Sequence, residues 1–362
     1  MPPLIRVVGS LNVDMVSVTP RFPDAGETIT TSSYFTSAGG KGANQAVACG
    51  RLSRSQNTSS STTTSNATPN IPVTVEMAGA VGALDGHFDA LLRPTLEKSG
   101  IDTSKVQVVP DAYTGVAVIA KPEIVGLGLA APVPDVIVMQ GEIPVDTVIG
   151  TLRAVGAFKA KNRASGKRGI EAGPDVMFNP APAPPGGLPE DCWGAVDHLV
   201  MNETEAEQMS PPAEQLARAV PDADQLEGRE KMARYFHKLG VTYVVVTLGS
   251  KGVWYSAADA GSCGPADGVT RFTNELPVAK VSKVLDTTAA GDTFGGAYGV
   301  EVARWREQRR GAGKAGQDVT DEEKADRYKR VMDGAMQVSV RAAARCVERQ
   351  GAMGSIPWED EI

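Results

Sequence analysis

Four short apolar runs recur through the middle of the chain, and each stops at polar residues. Val136-Ile137-Val138-Met139 ends at Gln140-Gly141-Glu142, Val176 to Phe178 at Asn179, His198 to Met201 at Asn202, and Tyr243 to Val246 at Thr247. Runs this short that lack polar alternation suit strands covered by helices on both faces. The segments between them have helical spacing. Val145 to Lys161 puts Val148, Leu152, Val155 and Phe158 on one face, and Arg229 to Leu239 is a second case. Ile5 to Val8 adds a strand ahead of them. Strands alternating with helices predict an α/β fold, a doubly wound, mostly parallel sheet flanked by helices. Ligands of such sheets collect at the carboxyl ends of the strands. Glu142, Asn179, Asn202 and Thr247 are therefore candidate site residues by position.

Composition narrows the partners. A length of 362 residues admits one large domain or two smaller ones, and we read a single domain over 1–362. The net charge is −7, with no basic block interleaved with aromatics, so nucleic acid is not an expected partner. No run approaches membrane-spanning length, and the first ten residues lack a signal-peptide pattern. The expected compartment is the cytoplasm, with the nucleus left open. Cys49, Cys192, Cys263 and Cys346 are far apart and read as reduced thiols.

Two glycine turns carry the chemistry. Asp286-Thr287-Thr288-Ala289-Ala290-Gly291-Asp292-Thr293-Phe294 brackets small residues with two carboxylates and opens a helix. Backbone N–H groups at such a start suit an anion, and Asp292 on the first turn lies beside them as a general base. The plainer alternative is an Asp near the start of an ordinary helix. Ala38-Gly39-Gly40-Lys41-Gly42-Ala43-Asn44-Gln45 is a second glycine turn entering a helix. It is not the phosphate-cradling P-loop, which needs four residues between its first glycine and Gly-Lys-Ser/Thr. Thr247-Leu248-Gly249-Ser250-Lys251-Gly252 suits either a nucleotide-facing loop or a hairpin turn.

Together with Asn202-Glu203-Thr204-Glu205, these stretches resemble the ribokinase family of sugar kinases, in family order from Val7 to Trp358. The resemblance implies phosphorylation of D-ribose by ATP, giving ribose 5-phosphate. A different small furanose, or a catalytically impaired binding protein, is the alternative. It implies Asp292 as base, with the N–H groups of Ala289, Ala290 and Gly291 as the anion hole. Asn12, Asp14, Gly40, Lys41, Gly42, Asn44, Glu142 and Asp292 would bind sugar. Asn202, Thr247, Gly249, Ser250, Gly252 and Gly291 would bind nucleotide. Mg²⁺ would be held largely through water near Asn202 and Glu205, and potassium by Asp286, Thr288, Cys346, Arg349, Gly351 and Ser355.

Three interruptions stand out. Ser53 to Asn70 is nearly all Ser, Thr, Asn and Gln and is expected to be a disordered insertion. Gly311 to Arg327 is charged and is expected to be solvated. Residues 12–38 and 106–120 are expected to form a small β-lid, through which a homodimer could assemble, with Tyr113 to Ile119 as a strand. Only 120–135 then lead to Val136, with no helical pattern, which is short for a parallel crossover.

Overall fold

The computed structural model describes residues 2–56, 71–115, 122–220, 223–262 and 270–362. Among them a nine-stranded sheet runs in the order β11-β10-β9-β8-β7-β6-β1-β4-β5. Its strands are β1 (Leu4–Val8), β4 (Thr74–Gly82), β5 (Ile101–Val109), β6 (Val136–Gln140), β7 (Asp175–Asn179), β8 (His198–Asn202), β9 (Tyr243–Thr247), β10 (Val253–Ala258) and β11 (Arg271–Leu276). β10 is antiparallel to β9 and β11, and the other pairs are parallel. β2 (Asn12–Val18) and β3 (Ser33–Gly39) form a separate antiparallel pair.

The apolar runs fill both faces of the sheet, so the core has two halves. Helices Lys41–Leu52, Ala290–Gly311 and Met332–Val347 cover one face, and Val145–Ala164 and Gly228–Lys238 the other. Gly296 lets two of these helices cross closely: a Cβ there would lie 2.3 Å from that of Ala48. This crossing brings the two glycine turns to the same end of the sheet.

The short crossover is bridged differently from expectation. Ile101–Val109, including Val106–Val109 assigned to the lid, is a parallel edge strand beside β4. Tyr113 to Gly115 is turn and irregular chain, and 116–120 lie outside the described residues. A helix does form, at Pro122–Leu127, and Val125 packs close to Gly150. Arg6, fully buried, holds the segment after it. Its guanidinium donates to the carbonyls of Leu127, Gly128, Ala130 and Pro132 at 2.8–3.1 Å while pairing with Glu76. One buried cation thus replaces the amphipathic pattern as organiser, which is why periodicity did not reveal it.

Two other expectations are corrected in part. Ser53 is buried, its hydroxyl bonded to the Gly50 carbonyl, and the Gln56 N–H reaches Asp360, so the polar run starts in ordered chain. Residues 57–70 lie outside the described residues. The charged stretch is tied down rather than solvated at its end. Asp321–Asp326 is helical, Glu323 pairs with Arg309 and Lys314, and Arg327 packs on Trp305. Most of its other residues are exposed, as a solvated stretch requires.

Candidate active site

The turn before helix Ala290–Gly311 is sharp enough to put Ala289 at φ 61, the one non-glycine residue with positive φ among those described. Such a backbone costs energy without a glycine, and strain of this kind gathers at functional sites. Asp286 fixes the turn from outside. Its carboxylate accepts the N–H of Thr288 and that of Gly351, both at 2.9 Å. The Thr288 side chain first, and then those two N–H groups, hold its pKa below the ordinary value. Leu285 N–H bonds to the Val347 carbonyl, so the C-terminal helix and the turn are one unit. Behind them, the buried Cys346 thiol lies 3.1 Å from the Ser355 hydroxyl and 3.6 Å from the Thr288 carbonyl.

Asp292 is the opposite case. It is 6% exposed, and Asn44 (2.9 Å) and Gln45 (3.0 Å) each donate a side-chain amide N–H to it. Burial raises its pKa; those two bonds and the Lys41 charge oppose the shift, and Glu142 adds to it. A carboxylate so placed is a base with raised proton affinity, which general catalysis near neutral pH favours. Gln45 also bonds Asn179 and accepts from Gln140, so a chain of amides locks the base to β6 and β7.

The first glycine turn is held by Glu142, which accepts the Ser10 hydroxyl (2.6 Å) and the Lys41 N–H (2.8 Å). Gly42 lies against β1's end, where a Cβ would come within 2.4 Å of the Ser10 nitrogen. Gly40, Lys41 and Asn44 line the cavity beside it, and Gly42 does not. Asn202 caps helix Glu203–Met209 in a reciprocal box with Glu205. Burial raises the pKa of Glu205, against the opposing Asn202 and Asn179 bonds and the Lys41 charge, while Asp292 adds to it.

Two cavities meet here. A polar chamber of about 420 Å³ is lined by Asn12, Asp14, Gly40, Lys41, Asn44, Glu142 and Asp292, with Ala289 and Gly291 at its floor. A cleft of about 690 Å³ is lined by Thr247, Gly249, Ser250 and Gly252 and by the apolar Val278, Val281, Val284, Phe294, Val340 and Val347. Asn202, Thr247, Thr287 and Gly291 border both. Ala290 faces the cleft, and its N–H bonds to the Thr287 carbonyl at 3.3 Å. The expected three-donor hole therefore has Ala289 and Gly291 on the chamber side.

Sequence reasoning missed Ser10, Gln45, Gln140 and the apolar cleft wall. Gln45 directly follows Asn44 in a motif already noted, so it was within reach. The cleft wall carries no motif.

A polar chamber and an apolar cleft joined at a helix start, on the carboxyl side of a doubly wound sheet, define a phosphotransferase for a small hydroxylated acceptor. The chain belongs to the pfkB family carbohydrate kinases, whose model matches residues 3–123 and 170–359. The break in the match, 124–169, takes in most of the shortened crossover together with β6 and helix Val145–Ala164. The ribokinase of Schizosaccharomyces pombe is 30% identical over 98% of this chain and 94% of its own. Among solved structures, Thermotoga maritima ribokinase aligns with a TM-score of 0.65 at 26% identity, covering 100% of this chain and 98% of its own. Arabidopsis thaliana ribokinase, solved with ribose and ATP, shares the fold at 24% identity and a TM-score of 0.63, over 99% and 96% of the two chains.

Proposed function

We propose that this carbohydrate kinase transfers the γ-phosphoryl group of ATP to the primary hydroxyl of D-ribose. The observation that carries the reading is the buried, amide-held Asp292 in the chamber, next in the chain to Gly291, which borders both cavities. Asp292 takes the hydroxyl proton as the sugar oxygen attacks phosphorus, and the N–H groups of Ala289 and Gly291 face the charge gathering on the phosphoryl oxygens. Most phosphoryl-transfer catalysis is such positioning and electrostatics. Asp14, Asn44 and Glu142 orient the sugar. Asn44 Oδ1 is buried without a hydrogen-bond partner among the described residues, an acceptor open to a sugar hydroxyl. Asn12, Gly40 and Lys41 complete the chamber, while Gly249, Ser250 and Gly252 let nucleotide phosphates approach the backbone.

The donors suit two cations. Glu205 with Asn202 offers oxygens for Mg²⁺ held through water, which would offset phosphate charge. The ionised Asp286, with oxygens of Thr288, Cys346, Arg349, Gly351 and Ser355, suits potassium, which would add positive charge beside the turn. The Cys346 thiol is kept protonated by burial, so the set there is one of oxygens. On the lid, Met15, Tyr34 and Phe35 are exposed on a two-stranded sheet. A pair that small is marginal alone, which favours a homodimer through the lid and weak ribose affinity when it is unpaired.

The test is ADP release across a panel of pentoses and hexoses. Ribose should give the highest kcat/KM. A preference for another sugar would move the assignment within the family, and no turnover with any sugar would overturn it.

A further inference from the structure

Gln45 is 1% exposed and lines neither cavity, yet it touches the residue on which the transfer turns. Its side-chain amide donates to Asp292 Oδ1 at 3.0 Å and to Asn179 Oδ1 at 3.1 Å. Its own oxygen accepts from Gln140 Nε2 at 2.7 Å. One side chain thus joins β6, β7 and the Asp292 helix.

The direction of this chain is fixed at both ends. The Asn179 amide nitrogen donates to the Val200 carbonyl at 2.9 Å, and a carbonyl only accepts, so Asn179 turns its oxygen to Gln45. An ionised carboxylate likewise only accepts, so Asp292 also requires the N–H side of Gln45. Turning the Gln45 amide over would set its oxygen against two others. Gln140 completes the lock at a cost. Its Oε1 is buried without a hydrogen-bond partner among the described residues, while its nitrogen serves Gln45. Apolar side chains at both positions would avoid that cost, because an unpaired buried group is expensive and a matched apolar pair is not. Packing alone therefore does not account for the two glutamines.

We propose that Gln45 is a positioning residue for the transfer, fixing the Asp292 carboxylate as a proton acceptor in the chamber without lining either substrate cavity. This role rests on the phosphoryl-transfer reading. Asn44 supports the other carboxylate oxygen, Oδ2, but it lines the chamber and would meet the sugar as well. Gln45 acts on the base alone. Burial raises the Asp292 pKa, and Asn44, Lys41 and Gln45 oppose it in that order. The other titratable groups around the base are Asp14 and Glu142 in the chamber, Glu205 beyond Asn179, and the Cys346 thiol on the C-terminal helix. None of them bonds to Gln45, so removing its N–H should push the Asp292 pKa further up.

The experiment measures pH profiles of the full chain and of Gln45→Met, which keeps the side-chain length and removes both donors. Near neutral pH kcat should fall about tenfold or more, as for the loss of a hydrogen bond to a charged group. The acid limb of kcat should move to higher pH, with KM for ribose and for ATP close to the parent values. Gln140→Leu, one link further out, should shift the limb the same way and less. Gln45→Glu keeps the shape should Gln45→Met not fold, and by setting a second carboxyl against Asp292 it should move the limb furthest. A lower melting temperature with the acid limb unmoved, or a loss carried by KM alone, would overturn the proposal. A second readout needs no turnover. The melting-temperature difference between the parent and Asp292→Asn changes with pH where Asp292 titrates, and that pH should be higher in the Gln45→Met background. If it is unchanged, Gln45 does not act on the base. No turnover of any sugar by the parent would instead overturn the phosphoryl-transfer reading.

Discussion

The two cavities of the active site are built on opposite physics. The chamber is organised by side-chain hydrogen bonds: Ser10 to Glu142, Gln140 to Gln45, Gln45 and Asn44 to Asp292. The cleft is largely a wall of valines and small residues, with its polar groups at the border with the chamber, at Glu203 and Thr204 and in the Gly249–Gly252 turn. Directional bonds discriminate among hydroxyl patterns, because a wrong partner leaves a buried group unpaired. An apolar wall supplies affinity by burial with little geometric demand. Selectivity and turnover should therefore be fragile to chamber changes, and nucleotide affinity should change gradually with the cleft.

The largest effect should come from Asp292→Asn. Losing the base should lower kcat about 10²–10⁴-fold, with ATP and ribose still bound, measured by coupled ADP release and calorimetry. The same variant should melt higher at neutral and alkaline pH. A carboxyl whose folded pKa is raised supports the fold when protonated, and that support is lost as pH rises through the folded pKa. Wild-type turnover in this variant would end the comparison, since the chamber would then hold no essential base.

Asp286→Ala should come next. It should remove most of the rate and any response to replacing sodium by potassium. Its stability effect has the opposite sign to that of Asp292. Thr288 and Gly351 hold the pKa down, so the stabilising contribution is present at neutral pH and lost as pH falls below the ordinary carboxylate range. The variant should melt lower at neutral pH, and that difference should shrink in acid. Equal rates in both salts for the parent protein would remove the cation from the account.

A smaller effect should appear in the pH profile. Activity should fall off on the acid side above the ordinary range of a carboxylate, because burial raises the Asp292 pKa. A fall only at the pH of an unperturbed aspartate would mean that water reaches the base. Smallest is Val284→Ala in the cleft. Val284 is half exposed, so its loss should leave the fold alone and raise the KM for ATP several-fold, at about 0.8 kcal/mol per methylene removed, without changing that for ribose. A drop in kcat with unchanged KM would blur the distinction between the two cavities.

The sequence by itself determined most strands of the sheet, the end of it where the polar residues gather, and both glycine turns. Burial on two faces demands continuous apolar runs, and close backbone approach demands small residues, and both demands are local and written in consecutive positions. Glu142 and Asp292 were legible for the same reason, as polar residues where such runs and turns stop, whereas Asn44 was reached only through the family resemblance. What only the tertiary structure decided is whatever depends on distant segments meeting. Residues Val278, Val284, Val340 and Val347 become one wall because the C-terminal helix packs on the Asp292 helix, and no spacing in the chain announces that. Arg6 organises carbonyls more than 120 residues away, so a crossover that looked too short closes without an amphipathic helix. Periodicity reports which side of an element is covered; it carries no record of what does the covering.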